Sequence, residues 1–442
     1  MADGRTPLII PRDARTPEHW PWKRLDQLAE AFDCPHTTPV LTADGPLVVR
    51  SQDMRSGVFR VQRAAHVSEA TYRERVTRAE PRDGDILFSR EGTYFGIAAL
   101  VPPRVRVCLG QRMVLLRCDP GQVDPQFLRC WLNSPLLQRH VQGLRDGTVA
   151  ERLNMPTIRA LPVAVPPIVE QRSIARILGA LDDKIELNRS VSETLEAMAR
   201  ALFKSWFVDF DPVRAKAEGR APAGMDAATA ALFPRRLVKT AAGDLPEGWR
   251  RGSIYEVADV HYGAPFSSSL FNSERRGRPL VRIRDLGGQR PDVFTVEEHP
   301  KGRLVRPGDV VVGMDGEFRA YLWSGSEAWL NQRCCLFAPR AGHSSAFVRH
   351  AIEGPLLAVE ETETATTVIH LGKADIDRFQ VVLPDARVAS AFEHAAEPFY
   401  QRIVSAAQET RSLALLRDAL LPRLLSGELR VADAERAIEA AE

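Results

Sequence analysis

Arg90, Thr93 and Tyr94 lie in the stretch SREGTYFG, Gln111 and Arg112 in CLGQR, and Thr148, Arg152 and Asn154 in GTVAERLN. A guanidinium can donate two parallel hydrogen bonds to a guanine edge, and a primary amide pairs in both directions with adenine. Threonine and arginine also serve phosphates. Farther along, Asp315, Glu317, Arg319, Gln332, Arg333, Thr366, Thr367, His370 and Lys373 offer a second collection of the same kind. Hydrogen-bonded recognition is one reading of these residues. The other is a solvated side chain, or one that stabilises a hairpin.

Catalytic patterns are missing. The chain has no GxxxxGK[ST] phosphate loop, no strand-linked GxGxxG fingerprint and no HExxH zinc motif. It also lacks an NPPF- or DPPY-like tetrapeptide and an Asp…Glu-x-Lys cluster, so a self-contained active site is not expected. Six cysteines (Cys34, Cys108, Cys118, Cys130, Cys334, Cys335) show no CxxC or Cys/His ligand spacing and read as reduced and structural, with no metal. Charged residues make up 26% and hydrophobic ones 44%, an ordinary globular mixture long enough for two to four domains. No segment approaches a membrane span and the N-terminus lacks a signal-peptide layout, which implies a cytoplasmic protein. The net charge of +2 does not announce a nucleic-acid binder. Only seven of the 59 basic residues are lysine; the arginine excess suits base and phosphate contacts, though a GC-rich genome gives the same bias.

The elements that must position these residues are written twice. TPEHWPWKRLDQLAE from Thr16 is similar to LPEGWRRGSIYEVAD from Leu245, and GDILFSREGTYFG from Gly84 to GDVVVGMDGEFRA from Gly308. CLGQR (Cys108 to Arg112) matches WLNQR (Trp329 to Arg333), and GTVAERLNMPTIRALPVAVPP matches TTVIHLGKADIDRFQVVLPD. The offset falls from 229 residues at Trp20 and Trp249 to 218 at Pro166 and Pro384, as a repeat with loop deletions requires. DILFSR, IAALV, RMVLLR, DVVVGM and RCCLFA read as short strands bounded by Gly and Asp turns. DPQFLRCWLNSPLLQRHV and SSAFVRHAIEGPLLAV read as amphipathic helices packed on them, and DPVRAKAEGRAPAGMDAATAALFPRR as a connection with one weak helix. Gln111 and Gln332 recur at one repeat position, which fits a structural hydrogen bond as well as a reading role. The 148–154 and 366–373 loops are therefore the stronger candidates.

Between the blocks, residues 170–207 contain neither a run of turn residues nor a proline, and Ile174, Ile177, Leu181, Ile185, Asn188, Leu195, Leu202 and Trp206 form a seam widened by Leu178, Val191 and Met198. Thirty-eight helical residues span about 57 Å. The opposite face, with Asp182, Asp183, Lys184 and Glu186, is charged, so the seam calls for a partner helix. The 218-residue offset supplies one, mapping Leu181, Ile185, Leu195, Leu202 and Phe207 onto Phe399, Ile403, Leu413, Leu420 and Leu425. Asn188 either fixes helix register across this seam or faces solvent.

LPVAVPPIVEQRSIARILGALDDKIELNRSVSETLEAMARALFKSWFVDFDPVRAKAEGR resembles the central conserved region of type I restriction-modification specificity subunits, and LLRDALLPRLLSGELRV their C-terminal conserved region. The resemblance runs through Val431. It implies an α+β fold: two mixed α/β target-recognition domains separated by an antiparallel coiled coil of two long helices, related by a pseudo-twofold repeat. The boundaries implied are a first recognition domain over 1–166, a long helix over 167–211, a linker over 212–244, a second domain over 245–384, a second helix over 385–427 and a tail over 428–442. It implies a non-catalytic DNA-reading subunit that recognises a bipartite double-stranded target, with the coiled coil as ruler and as platform for two methyltransferase subunits, and with restriction subunits in the full complex. S-adenosylmethionine, ATP and magnesium would belong to those partners and none to this chain. A stand-alone DNA-binding regulator is the alternative, and a nuclease the least favoured reading. Phe203, Trp206, Phe207 and Phe210 are either core residues at the helix end or a docking surface for the modification subunit.

Overall fold

The short apolar runs become the strands of two four-stranded sheets with one topology. Ala29–Asp33 (β1), Ile86–Ser89 (β2), Ala98–Leu100 (β3) and Met113–Cys118 (β4) lie in the order β1-β4-β2-β3, every pair antiparallel. Ala258–Tyr262 (β5), Val310–Gly313 (β6), Ala320–Leu322 (β7) and Cys334–Pro339 (β8) repeat it as β5-β8-β6-β7. All four residues of β2 and all four of β6 are buried, so ILFS and VVVG are continuous apolar runs rather than alternations. Ile86 and Phe88 pack into one core while Leu87 points into another, and Val310 and Val312 are divided from Val311 in the same way.

This computed structural model describes residues 7–11, 14–55, 57–92, 94–144, 152–241, 243–362, 369–431, 433 and 436. The chain forms two units: Met1–Lys184 with Leu413–Glu442 (unit 1), and Ile185–Ser412 (unit 2). Each unit ties the beginning of its block to its end by an antiparallel pair, Trp22–Arg24 with Pro162–Ala164 and Arg250–Ser253 with Gln380–Leu383. Each chain path therefore leaves its sheet at a fixed point and enters a long helix.

Among the helices packed on these cores are Pro125–Leu132 (α1), Ile168–Phe207 (α2), Ser345–Thr362 (α3) and Ala386–Leu425 (α4). The two long ones are 40 residues each, and the 218-residue offset carries both ends of α2 onto both ends of α4. In unit 1, Ile174, Ile177, Leu178 and Leu181 of α2 share a core with Leu420, Leu424 and Leu425 of α4. In unit 2, Asn188 meets Glu409 while Phe203 meets Phe392, so the pairing there is antiparallel.

Asn188 is buried, with Nδ2 donating to Glu409 Oε2 at 2.9 Å and Oδ1 accepting from Arg402 at 3.4 Å. Of its two readings, the solvent-facing one is excluded. Asn188→Ala is expected to cost about 1–3 kcal/mol, because it strips a partly buried carboxylate of a donor. Denaturant unfolding measures this, and a gain in stability would mean that desolvation outweighs the pair.

Three expectations need correction. Met198 does not widen the seam, being 48% exposed. Asp182 is not on a solvated face: it is buried, with Arg129 Nη2 at 2.6 Å and Arg417 Nη1 at 3.0 Å. The stretch after α2 is no loose connection with one weak helix. Asp211–Ala217 and Ala227–Leu232 are helical, Leu237–Thr240 pairs with Gly243–Pro246, and Val213 and Phe233 are buried in the unit 2 core. Burial lifts all six free thiols above the ordinary cysteine range, Cys108 and Cys130 to about 11 and Cys118 and Cys334 to about 12, so the thiolate is disfavoured. Among the described residues no helix is long and apolar enough to cross a membrane.

Candidate nucleic-acid interface

Three segments far apart in sequence converge beyond the end of β2. The Arg90 N–H donates to the Arg112 carbonyl at 3.0 Å, the Leu153 N–H donates to the Arg90 carbonyl at 2.8 Å, and Glu91 forms an isolated β-bridge with Arg152. Unit 2 builds the same junction beyond β6. There the Met314 N–H donates to the Arg333 carbonyl at 2.9 Å, the Leu371 N–H donates to the Met314 carbonyl at 2.8 Å, and Asp315 bridges His370. The residues correspond one for one at the offsets of the sequence repeat: 224 at the strand end, 221 at the arginine and 218 at the third segment.

The junction gathers part of the expected set. Arg112 and Arg152 are exposed in unit 1, as are Gln332, Arg333 and His370 in unit 2. Arg112 Nε lies 3.4 Å from Glu91 Oε1, and Arg333 Nη1 lies 3.3 Å from Asp315 Oδ1. His370 Nδ1 is 2.7 Å from the same Asp315 oxygen. Tyr94 is half-buried in the turn after β2. Gln111 accepts from Thr38 Oγ1 at 2.7 Å, beside a cavity of about 230 Å³ that Ser51, Gln52 and Arg112 also line.

Other members are engaged elsewhere. Arg90 binds the Asp33 carboxylate at 2.6 Å with only 14% of its side chain exposed, so it locks β2 to β1. Asn154 is a helix N-cap: Oδ1 accepts from the Thr157 N–H at 2.8 Å, and Pro156 follows in the first turn. Lys373 donates to Asp377 at 2.7 Å one turn on and lies over the Tyr255 ring; the Asp377 carboxylate raises its pKa above the ordinary lysine value. Arg319 pairs with Glu317 at 2.6 Å, both exposed. Thr93, Thr148, Thr366 and Thr367 lie outside the described residues.

Sequence reasoning passed over Glu91, the acidic centre of the unit 1 junction. The repeat held the signal, since Glu91-Gly92 and Asp315-Gly316 occupy one position in the two copies. Of the two readings of Phe203, Trp206, Phe207 and Phe210, core residues at the helix end or a docking surface, burial favours the first. All four are buried, at 9%, 5%, 2% and 6% exposure, inside the unit 2 core. Their rings pack on Phe233, Trp249, Phe347 and Phe392, which leaves no ring surface for a partner. One ligand-like group exists among the described residues, with Asp33, Cys34 and His36 atoms within 4.8 Å of one another. Arg90 already neutralises Asp33, and the Cys34 thiol is held protonated by burial, a poor donor set for a metal.

Residues 41–197 match the type I restriction modification DNA specificity domain. The specificity subunit of the type I restriction enzyme HindI from Haemophilus influenzae is 24% identical over 408 residues, which cover 79% of this chain and 87% of that one. The MjaIX specificity subunit of Methanocaldococcus jannaschii is 20% identical over 443 residues, covering 94% and 95%. Among solved structures, the S subunit of a type I restriction-modification system from M. genitalium aligns with a TM-score of 0.57 at 15% identity, covering 95% of this chain and 99% of that one. This last likeness speaks for the fold.

Proposed function

We propose that the chain is a specificity subunit of a type I restriction-modification system, the proteins it is similar to in residues 41–197 and along most of its length, that it reads a bipartite DNA sequence, each sheet-bearing unit taking one half, and that it docks methyltransferase subunits on its long helices. The observation that carries the reading is the doubled junction: the same three segments, with an exposed arginine at the same place, recur in both units. A protein that recognised one contiguous site would not need two equivalent frames.

On this reading the chain itself is non-catalytic. Methyl transfer to a flipped adenine belongs to partners that hold S-adenosylmethionine, and ATP and magnesium serve the restriction subunits of the same cytoplasmic complex. Docking falls to the outward faces of the helices, where Leu187 and Met198 of α2 are 57% and 48% exposed, and not to the buried aromatic cluster. A net charge of +2 gives little non-specific affinity for phosphates, so tight binding is expected only of the assembled complex.

Block exchange tests the assignment. Replacing residues 1–166 with the corresponding block of another specificity subunit is expected to change one half of the methylated motif and to leave the other half intact. Single-molecule sequencing of genomic DNA from cells carrying the hybrid reads this directly. A motif altered on both sides would refute independent reading.

A further inference from the structure

We propose that Glu91 and Asp315 are positioning residues for base recognition, each carboxylate clamping a DNA-facing arginine, Arg112 in unit 1 and Arg333 in unit 2. The clamp deepens the proposed reading of a bipartite DNA sequence and rests on it.

The two clamps are built alike from unlike residues. Each carboxylate directly precedes a glycine of positive φ, Gly92 at 92° and Gly316 at 82°, a conformation that costs glycine little and other residues much. The Arg112 guanidinium lies directly over the Gly92 turn, with Nη1 3.5 Å from where a Cβ would stand. The arginine's own carbonyl accepts the N–H of the residue before the acid, which fixes both ends of the pair to one backbone frame. In both units the arginine is about half exposed, at 48% and 56%, and the acid beneath it only about a quarter, at 26% and 25%.

That exposure decides between roles. An ion pair whose arginine is so open to water adds little to stability, unlike the Arg90–Asp33 pair, where the arginine is only 14% exposed. What a carboxylate does supply at such a place is orientation. A guanidinium carries five N–H donors. Contact with the acid through Nε in Arg112 or Nη1 in Arg333 leaves the remaining donors for the O6 and N7 atoms of a guanine. Holding the long side chain in one rotamer beforehand removes an ordering cost from the binding step. His370 Nδ1 also lies 2.7 Å from Asp315 Oδ1, so one carboxylate oxygen contacts both the arginine and the imidazole. Unit 1 places Arg152 where unit 2 places His370, each bridged by backbone to the acid of its own unit, Glu91 or Asp315. The clamp is thus common to both halves, and its third member varies.

The test uses the complex with methyltransferase subunits and duplexes carrying the wild-type motif or each single-base variant of it. Glu91→Gln keeps the shape and removes the charge. It is expected to reduce discrimination roughly tenfold at one or two positions of the half-site read by unit 1, the scale of one bidentate arginine contact. The other half-site and the melting temperature should stay unchanged. Arg112→Lys should reproduce the loss, Glu91→Asp should retain most of the discrimination, and Asp315→Asn should give the mirror result at the second half-site. A loss equal for all duplexes, a lowered melting temperature without base-selective change, or no change would each overturn the clamp. A wild-type complex with no bipartite preference would instead overturn the function on which the clamp rests.

Discussion

Asp182→Ala is expected to lower the free energy of unfolding by about 3–5 kcal/mol, the usual cost of removing one partner from a buried ion pair. Asp182 sits within unit 1 between Arg129 of α1 and Arg417 of α4, at 2.6 and 3.0 Å. The Arg129 side chain is 6% exposed and that of Arg417 24%. Arg129 has other acceptors, the Gly57 carbonyl at 3.0 Å and Gln126 Oε1 at 3.1 Å, but neither is charged. Without the carboxylate, Arg417 keeps Asp418 at 2.7 Å, but the buried Arg129 guanidinium loses the only carboxylate it bonds and stays at a dry site with neutral acceptors. Asp183, next along the helix and exposed, provides the control: Asp183→Ala should stay within about 0.5 kcal/mol. Denaturant midpoints of the full chain compare the two. A loss below about 1 kcal/mol for Asp182→Ala would show that water screens the network.

Phe207→Ala should cost about as much, roughly 3–5 kcal/mol, for a different reason. The ring is 2% exposed and lies 5.1–5.8 Å from the rings of Phe203, Trp249, Phe347 and Phe392. Its removal leaves a cavity lined by stiff aromatic side chains that cannot close over it, so the transfer loss and the lost ring contacts add. The measurement also separates a packing role from a docking role. Packing predicts a melting temperature several degrees lower in the isolated chain. Wild-type melting combined with failure to assemble with methyltransferase subunits would restore the docking role that burial argues against.

What was legible in the sequence shares one property: it is written in local order or in repetition. DILFSR and DVVVGM announce buried strands by apolar continuity. The seam from Ile174 to Trp206 announces a helix by its 3-4 spacing, and the offset of 218 locates its partner because both copies run to the same element boundaries. The cap at Asn154 belongs here too, since Asn followed by Pro156 is a local helix-start signal that was open to reading.

What tertiary structure alone decided is which polar residues remain available once the chain has paired with itself. Arg90, Arg112 and Arg333 look equivalent as letters. Arg90 is taken up by Asp33, 57 residues away, while the other two stay half exposed above their acids. Asp182 falls on the polar side of a helical wheel, yet Arg129 and Arg417, 53 and 235 residues distant, draw it into the interior. Periodicity records which face of an element is apolar, because side-chain direction repeats along a helix or strand. It carries no record of a partner on another element. A charged group therefore cannot be assigned to solvent, to a buried pair or to a ligand until the fold has set the distances that let Coulomb attraction repay desolvation.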